Sequence, residues 1–334
     1  MQTPPSIAPS WPRSDCSSRS AARGSPWSAA EISDINSSKR TRNFPGSLTA
    51  LATPFENDDI AEKAFADLVA WQIEQGSEGL VVCGVTGEAP TLSPREQRRL
   101  IEIAVETASR RVPIVAATGT NCTRETIALT QAAEAAGATA ALIVTPYYNK
   151  PNQEGLYRHY REIGKAVGIP LILENDPSRT CIEIRPETLA KLAATPNIIG
   201  IEDVICDLSS FSVHSLSSAP NFIRWSGDDS ASLLFRMAGG SGSVSVVANV
   251  VPRLWADMQQ ACEAGDWSGA KSIQTRLKPL VAAFRLETNP GPVKYALSLA
   301  HPWFSPTMRL PLVAVSRQTA SAIASALKEL KLVD

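Results

Sequence analysis

The chain is predicted to be an α/β protein, a (β/α)8 barrel followed by a C-terminal helical appendage. Three observations predict it. From Gly46 to Val246, short near-continuous apolar runs alternate with stretches of helical period, the pattern of a parallel sheet covered by helices. Eight such units fit into about 200 residues, which favours closure of the sheet over an open, doubly wound one. No G-x-G-x-x-G follows the first run, so the dinucleotide-binding alternative lacks its phosphate turn.

The eight runs are SLTALATPF, GLVVCG, PIVAATG, ATAALIVTPYY, IPLILEN, NIIGIED, FIRWSGDD and GSVSVVAN. Helical period places helices between them over 62–74, 94–110, 123–136, 155–167, 186–194, 208–217 and 230–238. The second is opened by Ser93 as cap and Pro94 in its first turn. Four more helices are expected over 255–264, 267–284, 293–299 and 318–332. The segment TNPGPVKYAL, from Thr288 to Leu297, is expected to be an exposed helix entrance fixed by its two prolines. Residues 1–45 are rich in serine, arginine and proline and lack a periodic apolar face. They are expected to form a disordered leader, with an organelle transit segment or a mis-called start as alternatives. The expected division is therefore leader 1–45, barrel 46–250 and helical region 251–334.

Composition narrows the function. At 334 residues and 44% hydrophobic content, the chain has no apolar stretch long enough to span a bilayer. Lysine plus arginine, 32, nearly balance aspartate plus glutamate, 33, which favours a small-molecule partner over nucleic acid or a membrane surface. The six cysteines lack C-x-x-C spacing and read as reduced thiols of a cytoplasmic protein.

The stretch Gly79 to Gln97 is an apolar strand, a glycine turn carrying Thr86 and Glu88, and a helix start. Such a turn at the carboxyl end of a parallel strand presents groups to a ligand. Five further stretches accompany it: TPYYNKPNQEGLYRHY, NDPSRT, ETLAKLAATPNIIGIED, SGDDS and ETNPGPVKYAL. Together, in this order, they resemble the dihydrodipicolinate synthase and N-acetylneuraminate lyase family of class I aldolases. The resemblance runs from about Gly46 to the C-terminus. It implies a (β/α)8 fold, a homotetramer built from dimers, and Schiff-base chemistry on 2-oxo acids. By that resemblance Arg179 in PSRT holds a substrate carboxylate, as in the synthase branch. Thr86, Gly84 and Gly87 belong to the substrate-binding turn, and Tyr148 reaches a neighbouring subunit's site. Asn121, Glu125 and Tyr147 match positions of a lysine-feedback cavity in some synthases.

Three positions depart from the family pattern. Glu202 stands at the imine-forming lysine, Glu174 at the strand-five tyrosine and Val85 at the catalytic threonine. A carboxylate cannot form an imine, and valine has no hydroxyl to pass a proton. Lys150, after the fourth run, is near the expected face; Lys165, Lys191, Lys271 and Lys294 fall in helical stretches.

Glu174 and Glu202 each terminate a buried apolar run, so both are expected at the barrel mouth, on neighbouring strands ~4.8 Å apart. Two anions that close in a partly dry setting need a proton, a cationic substrate group or a metal ion. The first option makes Glu174 and Glu202 general acid and base on a small oxo or carboxylic acid, for elimination, addition, C–C cleavage or isomerisation. A divalent cation held by Glu174, Asp176, Glu202 and Asp203 is the metal alternative; otherwise no cofactor is expected. A catalytically dead relative that binds a metabolite or partners an active paralogue is a reading of a different class, and a chain that lends only Tyr148 across a dimer is a third. Glu88 is expected to brace the turn, Asp228 and Asp229 to line the site wall or cap the next helix, and His159, His214 and His301 to take no part.

Overall fold

The computed structural model describes Phe44, residues 46–204 and residues 221–333. The predicted helix 208–217, His214, Cys16 and Cys206 lie outside the described residues.

Eight parallel strands close into a barrel: β1 (Ser47–Ala50), β2 (Gly79–Val82), β3 (Ile114–Ala117), β4 (Ala140–Val144), β5 (Leu171–Asn175), β6 (Ile198–Asp203), β7 (Ile223–Ser226) and β8 (Gly242–Ser245). Their spatial order follows the chain, and β8 closes on β1 with Leu48 opposite Val244. Period-two alternation sends one set of side chains inward. Leu48, Val81, Val115, Leu142, Ile172, Ile223, Trp225 and Val244 fill the interior. The opposite set packs under the helices, as Leu171, Leu173, Ile198 and Ile201 do against Leu156, Tyr160, Leu189 and Leu192. Gly200 on β6 makes room for the large interior side chain: a Cβ there would lie 2.6 Å from the Ile223 carbonyl oxygen and 2.8 Å from the Trp225 indole.

The connecting helices are α1 (Glu62–Glu74), α2 (Pro94–Ala108), α3 (Thr123–Ala135), α4 (Gln153–Ala166), α5 (Pro177–Thr180), α6 (Pro186–Ala193) and α7 (Ser232–Met237). Ser93 and Glu96 form a reciprocal capping box at the start of α2, each side chain accepting from the other's backbone N–H. Asn152 accepts from Gly155 N at 2.9 Å, so α4 begins two residues before its apolar period shows. Beyond β8 come α8 (Pro252–Glu263), α9 (Trp267–Phe284), α10 (Gly291–Ala300) and α11 (Arg317–Glu329).

One expectation is corrected. The TNPGPVKYAL segment is not exposed: Pro290 to Lys294, Ala296 and Leu297 are buried against the barrel's outer layer. Burial is possible because the Lys294 charge is matched internally by Glu88. Two short features had no periodic signal: the two-residue hairpin pairing Phe55–Glu56 with Asp59–Ile60, and α5, a single turn formed by PSRT.

Candidate active site

Glu174 and Glu202 are direct neighbours in the β5–β6 ladder, flanked in register by Val144 on β4 and Trp225 on β7. Glu174 lies two residues beyond inward-facing Ile172, and Glu202 two beyond Gly200, so both carboxylates head the barrel interior above an apolar floor. Glu202 is only 7% exposed, and its Oε2 has no hydrogen-bond partner. Its other oxygen occupies space that a side chain at Gly227 would take: a Cβ there would be 2.7 Å from Glu202 Oε1.

Burial dominates the electrostatics. It pushes the Glu202 carboxyl well above the ordinary carboxylate range, and the charges of Glu174, Asp176, Asp203 and Asp229 push it further. Glu174 is half-buried and raised to about 7, by burial first and Asp176 second, with Arg179 pulling the other way. Both carboxyls are therefore raised, and their proximity means that they titrate together rather than independently.

Arg179 lies on α5 immediately after β5. Asp176 caps that turn, accepting from Ser178 N at 3.1 Å, and its other oxygen is 3.5 Å from Arg179 Nε. Thr180 donates to the Asp176 carbonyl, and Thr145 donates to Thr180 Oγ1 at 2.9 Å, which ties the turn to the end of β4. Arg179 is thus steered by one carboxylate while its side chain stays 41% exposed. Of the oxygen donors weighed for a divalent cation, Asp176 is turned to Ser178 and Arg179, and Asp203 accepts from Asn175 at 3.4 Å. Among the described residues no three His, Cys, Asp or Glu side chains are grouped to hold a metal ion.

The glycine turn after β2 is held by bonds from Gly87 N and Ala89 N to Gly84 O and from Glu88 N to Val85 O. The amides of Val85 and Thr86 are not among these donors. A Cβ at Gly84 would meet only Ala117, at 3.8 Å, so this glycine borders open space. Gly87 does not: it packs against Leu51 O and Cys83 N, and its carbonyl accepts from Thr53 Oγ1 at 2.8 Å. Gly87 therefore shapes the turn rather than facing a ligand. Thr86 is buried, and its hydroxyl accepts from Asn289 Nδ2 at 2.9 Å. Glu88 braces the turn, as expected, but through the C-terminal region: Lys294 Nζ donates to Oε1 at 2.6 Å and Arg309 N to Oε2 at 3.1 Å. Lys294 and Arg309 also lie over the Phe55 ring, 4.4 and 4.5 Å from its centroid. Burial lowers the Lys294 pKa to about 8, and Glu88 opposes that shift. Among the described lysines Lys294 alone is buried.

Neither aspartate of SGDDS caps the next helix, while Asp229 lies close enough to the site for its charge to act on Glu202. Asp228 accepts from Ser230 N within its own turn at 2.7 Å, while α7 starts at Ser232 without a side-chain cap. Asp229 reaches instead to the end of β8, accepting from Val246 N and Val247 N at 3.2 and 2.8 Å. It reads as a helix cap only along the chain; in space it caps the turn that follows β8. Its Oδ1 is buried without a partner, and burial raises its pKa to about 6.

Tyr148 sits in a left-handed backbone conformation and is 92% exposed, so within one chain it touches little. Lys150, two residues on, is also exposed. Tyr147 does meet Asn121 and Glu125: burial and the Glu125 charge raise its pKa, while a hydrogen bond with the Asn121 backbone lowers it. His159 is a core residue, bonded through Nδ1 to Thr123 Oγ1 at 2.9 Å and lowered by burial to about 4. His301 stacks with Trp71 and Trp303 outside the mouth. Asn289 and Arg309 were missed by sequence reasoning; the N-P-G-P-V-K string was the available signal for the first, and nothing marked the second.

Residues 43–330 match the model of the dihydrodipicolinate synthetase family. A 4-hydroxy-tetrahydrodipicolinate synthase of Methylobacterium radiotolerans is 48% identical over 284 residues, covering 85% of this chain and 94% of that protein. The synthase of Rhizobium meliloti is 47% identical over 286 residues, covering 85% and 98%. The crystal structure of dihydrodipicolinate synthase from Aquifex aeolicus superposes with a TM-score of 0.85 at 38% identity, covering 86% of this chain and 99% of that one. The chloride-inhibited synthase from Acinetobacter baumannii, complexed with pyruvate, gives 0.84 at 39% identity, covering 87% and 100%.

Proposed function

Because the chain belongs to the dihydrodipicolinate synthetase family, we propose that it is a lyase-type enzyme of this fold that binds a small oxo or carboxylic acid and moves protons without an imine. The observation that carries this reading is the Glu174–Glu202 pair, adjacent in register at the inner mouth of the barrel. Imine formation needs an amine that is neutral at the moment of attack. The residue at the end of β6 is instead a carboxyl, and the buried Lys294 is held by Glu88.

Two carboxyls with separated proton affinities suit acid and base roles. Glu174, raised to about 7, takes a proton from carbon or oxygen near neutral pH. Glu202, more than nine-tenths buried and raised well above the ordinary carboxylate range, is the donor. Arg179 holds the ligand carboxylate with its exposed guanidinium, and the amides of Val85 and Thr86 supply two more donors on the opposite side of the mouth. The pyruvate bound by the Acinetobacter relative supports an acid of that size. Elimination, addition, C–C cleavage and isomerisation all fit this machinery. Tyr148, exposed on the loop after β4, completes the site of a second copy in a dimer or tetramer.

The test follows small oxo and hydroxy acids by NMR in deuterated buffer for exchange at the carbon beside the carbonyl, and for turnover. The wild type exchanges at least one acid; Glu174→Gln and Glu202→Gln each slow exchange at least 100-fold, and Arg179→Ala raises KM. A ligand that binds tightly, never exchanges and is indifferent to both glutamine variants supports a metabolite-binding protein instead.

A further inference from the structure

Among the described residues, the cation that acts on the Glu174–Glu202 pair is Arg179, and it acts on Glu174 and not on Glu202. Among the described residues, the carboxylates acting on Glu202 come from three sides: Glu174 and Asp176 from β5 and its turn, Asp203 from β6, and Asp229 from the loop after β7. Arg179 is the guanidinium acting on Glu174, and it is already 3.5 Å from Asp176. Every described lysine except Lys294 is exposed, and Lys294 is spent on Glu88. Independently of this charge count, Glu202 is more than nine-tenths buried with Oε2 unpartnered, at the inner end of the mouth. A buried carboxyl oxygen without a donor costs free energy, which a ligand N–H recovers on binding.

An oxo acid brings a further negative charge and a carbonyl that donates nothing. An amino acid brings a carboxylate for Arg179, and three N–H donors on a positive nitrogen. We propose that the mouth binds a small amino acid as its zwitterion, with the ligand ammonium between Glu174 and Glu202. This rests on the carboxylate-binding reading above and narrows its ligand to an amine-bearing acid: where an imine-forming barrel supplies the amine from its own strand, this one receives it with the ligand.

Alanine and propanoate differ only by the ammonium group, so they isolate its contribution. Calorimetric titration of chelator-treated protein at pH 8 with L-alanine, D-alanine, propanoate and pyruvate tests the proposal. One alanine enantiomer is expected to bind at least tenfold more tightly than either anion. Glu202→Gln and Glu174→Gln, which keep shape and remove charge, bring alanine to the level of propanoate, while Arg179→Ala weakens alanine and both anions alike. If propanoate or pyruvate binds as tightly as alanine and Arg179→Ala still weakens them, the ammonium site is refuted and the carboxylate site stands. If nothing binds, or binding ignores Arg179, both fall. A requirement for added magnesium for alanine binding overturns the proposal in favour of a metal between the carboxylates.

Discussion

Lys294 Nζ lies 2.6 Å from Glu88 Oε1, with both side chains wholly buried, and so joins the C-terminal helical region to the glycine turn of the second strand. Breaking a buried ion pair from one side leaves an uncompensated charge and costs about 3–5 kcal/mol. Lys294→Met is therefore expected to lower the free energy of unfolding, read from urea titration, by that amount. Lys294→Met with Glu88→Gln recovers at least half of the loss, since the second change removes the stranded charge. A double-mutant cycle with no coupling would show that the pair is incidental.

Asn289 tethers Thr86 across 203 residues of sequence. Asn289→Ala is expected to raise KM about three- to tenfold with little change in kcat, because it loosens the turn proposed to receive the carboxylate without touching the glutamates. The free energy at stake is one neutral hydrogen bond, about 1 kcal/mol. Steady-state kinetics on whichever acid the exchange screen identifies separates this from a fold defect, which would lower the active fraction and leave KM unchanged.

Glu202 makes stability depend on pH in a defined direction. Its folded pKa lies well above the ordinary value of 4.5, so the folded chain keeps a proton that the unfolded chain releases. The associated stability is present below about pH 4.5 and is lost as the pH rises through the raised value. Glu202→Gln removes that loss. It is expected to be more stable than wild type at pH 8, with the difference shrinking toward pH 4. Thermal unfolding across that range reads it; a variant less stable than wild type at pH 8 contradicts the assignment.

Gly227 leaves the space in which Glu202 Oε1 sits. Gly227→Ala is expected to displace that carboxyl and reduce exchange activity at least tenfold. Far-ultraviolet circular dichroism should remain unchanged, because the glycine borders the mouth and not the barrel ladder.

How much of this was legible in sequence follows from the range of each interaction. The helices over 62–74 and 267–284 have the predicted bounds, and the strands fall where the apolar runs lie, because both signals are local. Glu174 and Glu202 were legible because a charged residue ending a buried run has one place to go, the end of a strand. The clamp on the glycine turn was not, since Asn289, Lys294 and Arg309 reach back across 203 to 221 residues. A lysine in a proline-rich segment reads as exposed until its buried partner is seen. Of the two readings of Asp229 the helix cap failed for a related reason: its neighbours in sequence suggested its own helix, while the amides that it satisfies belong to Val246 and Val247.

The most direct measurement is borohydride trapping. The protein is incubated with pyruvate, reduced and weighed intact, with Glu202→Lys as the companion that returns an amine to the inner mouth. Two carboxyls at the ends of the fifth and sixth strands predict no stable adduct on the wild type and a single pyruvyl adduct on the variant. An adduct on the wild-type chain, at Lys294 or any other lysine, would contradict the account.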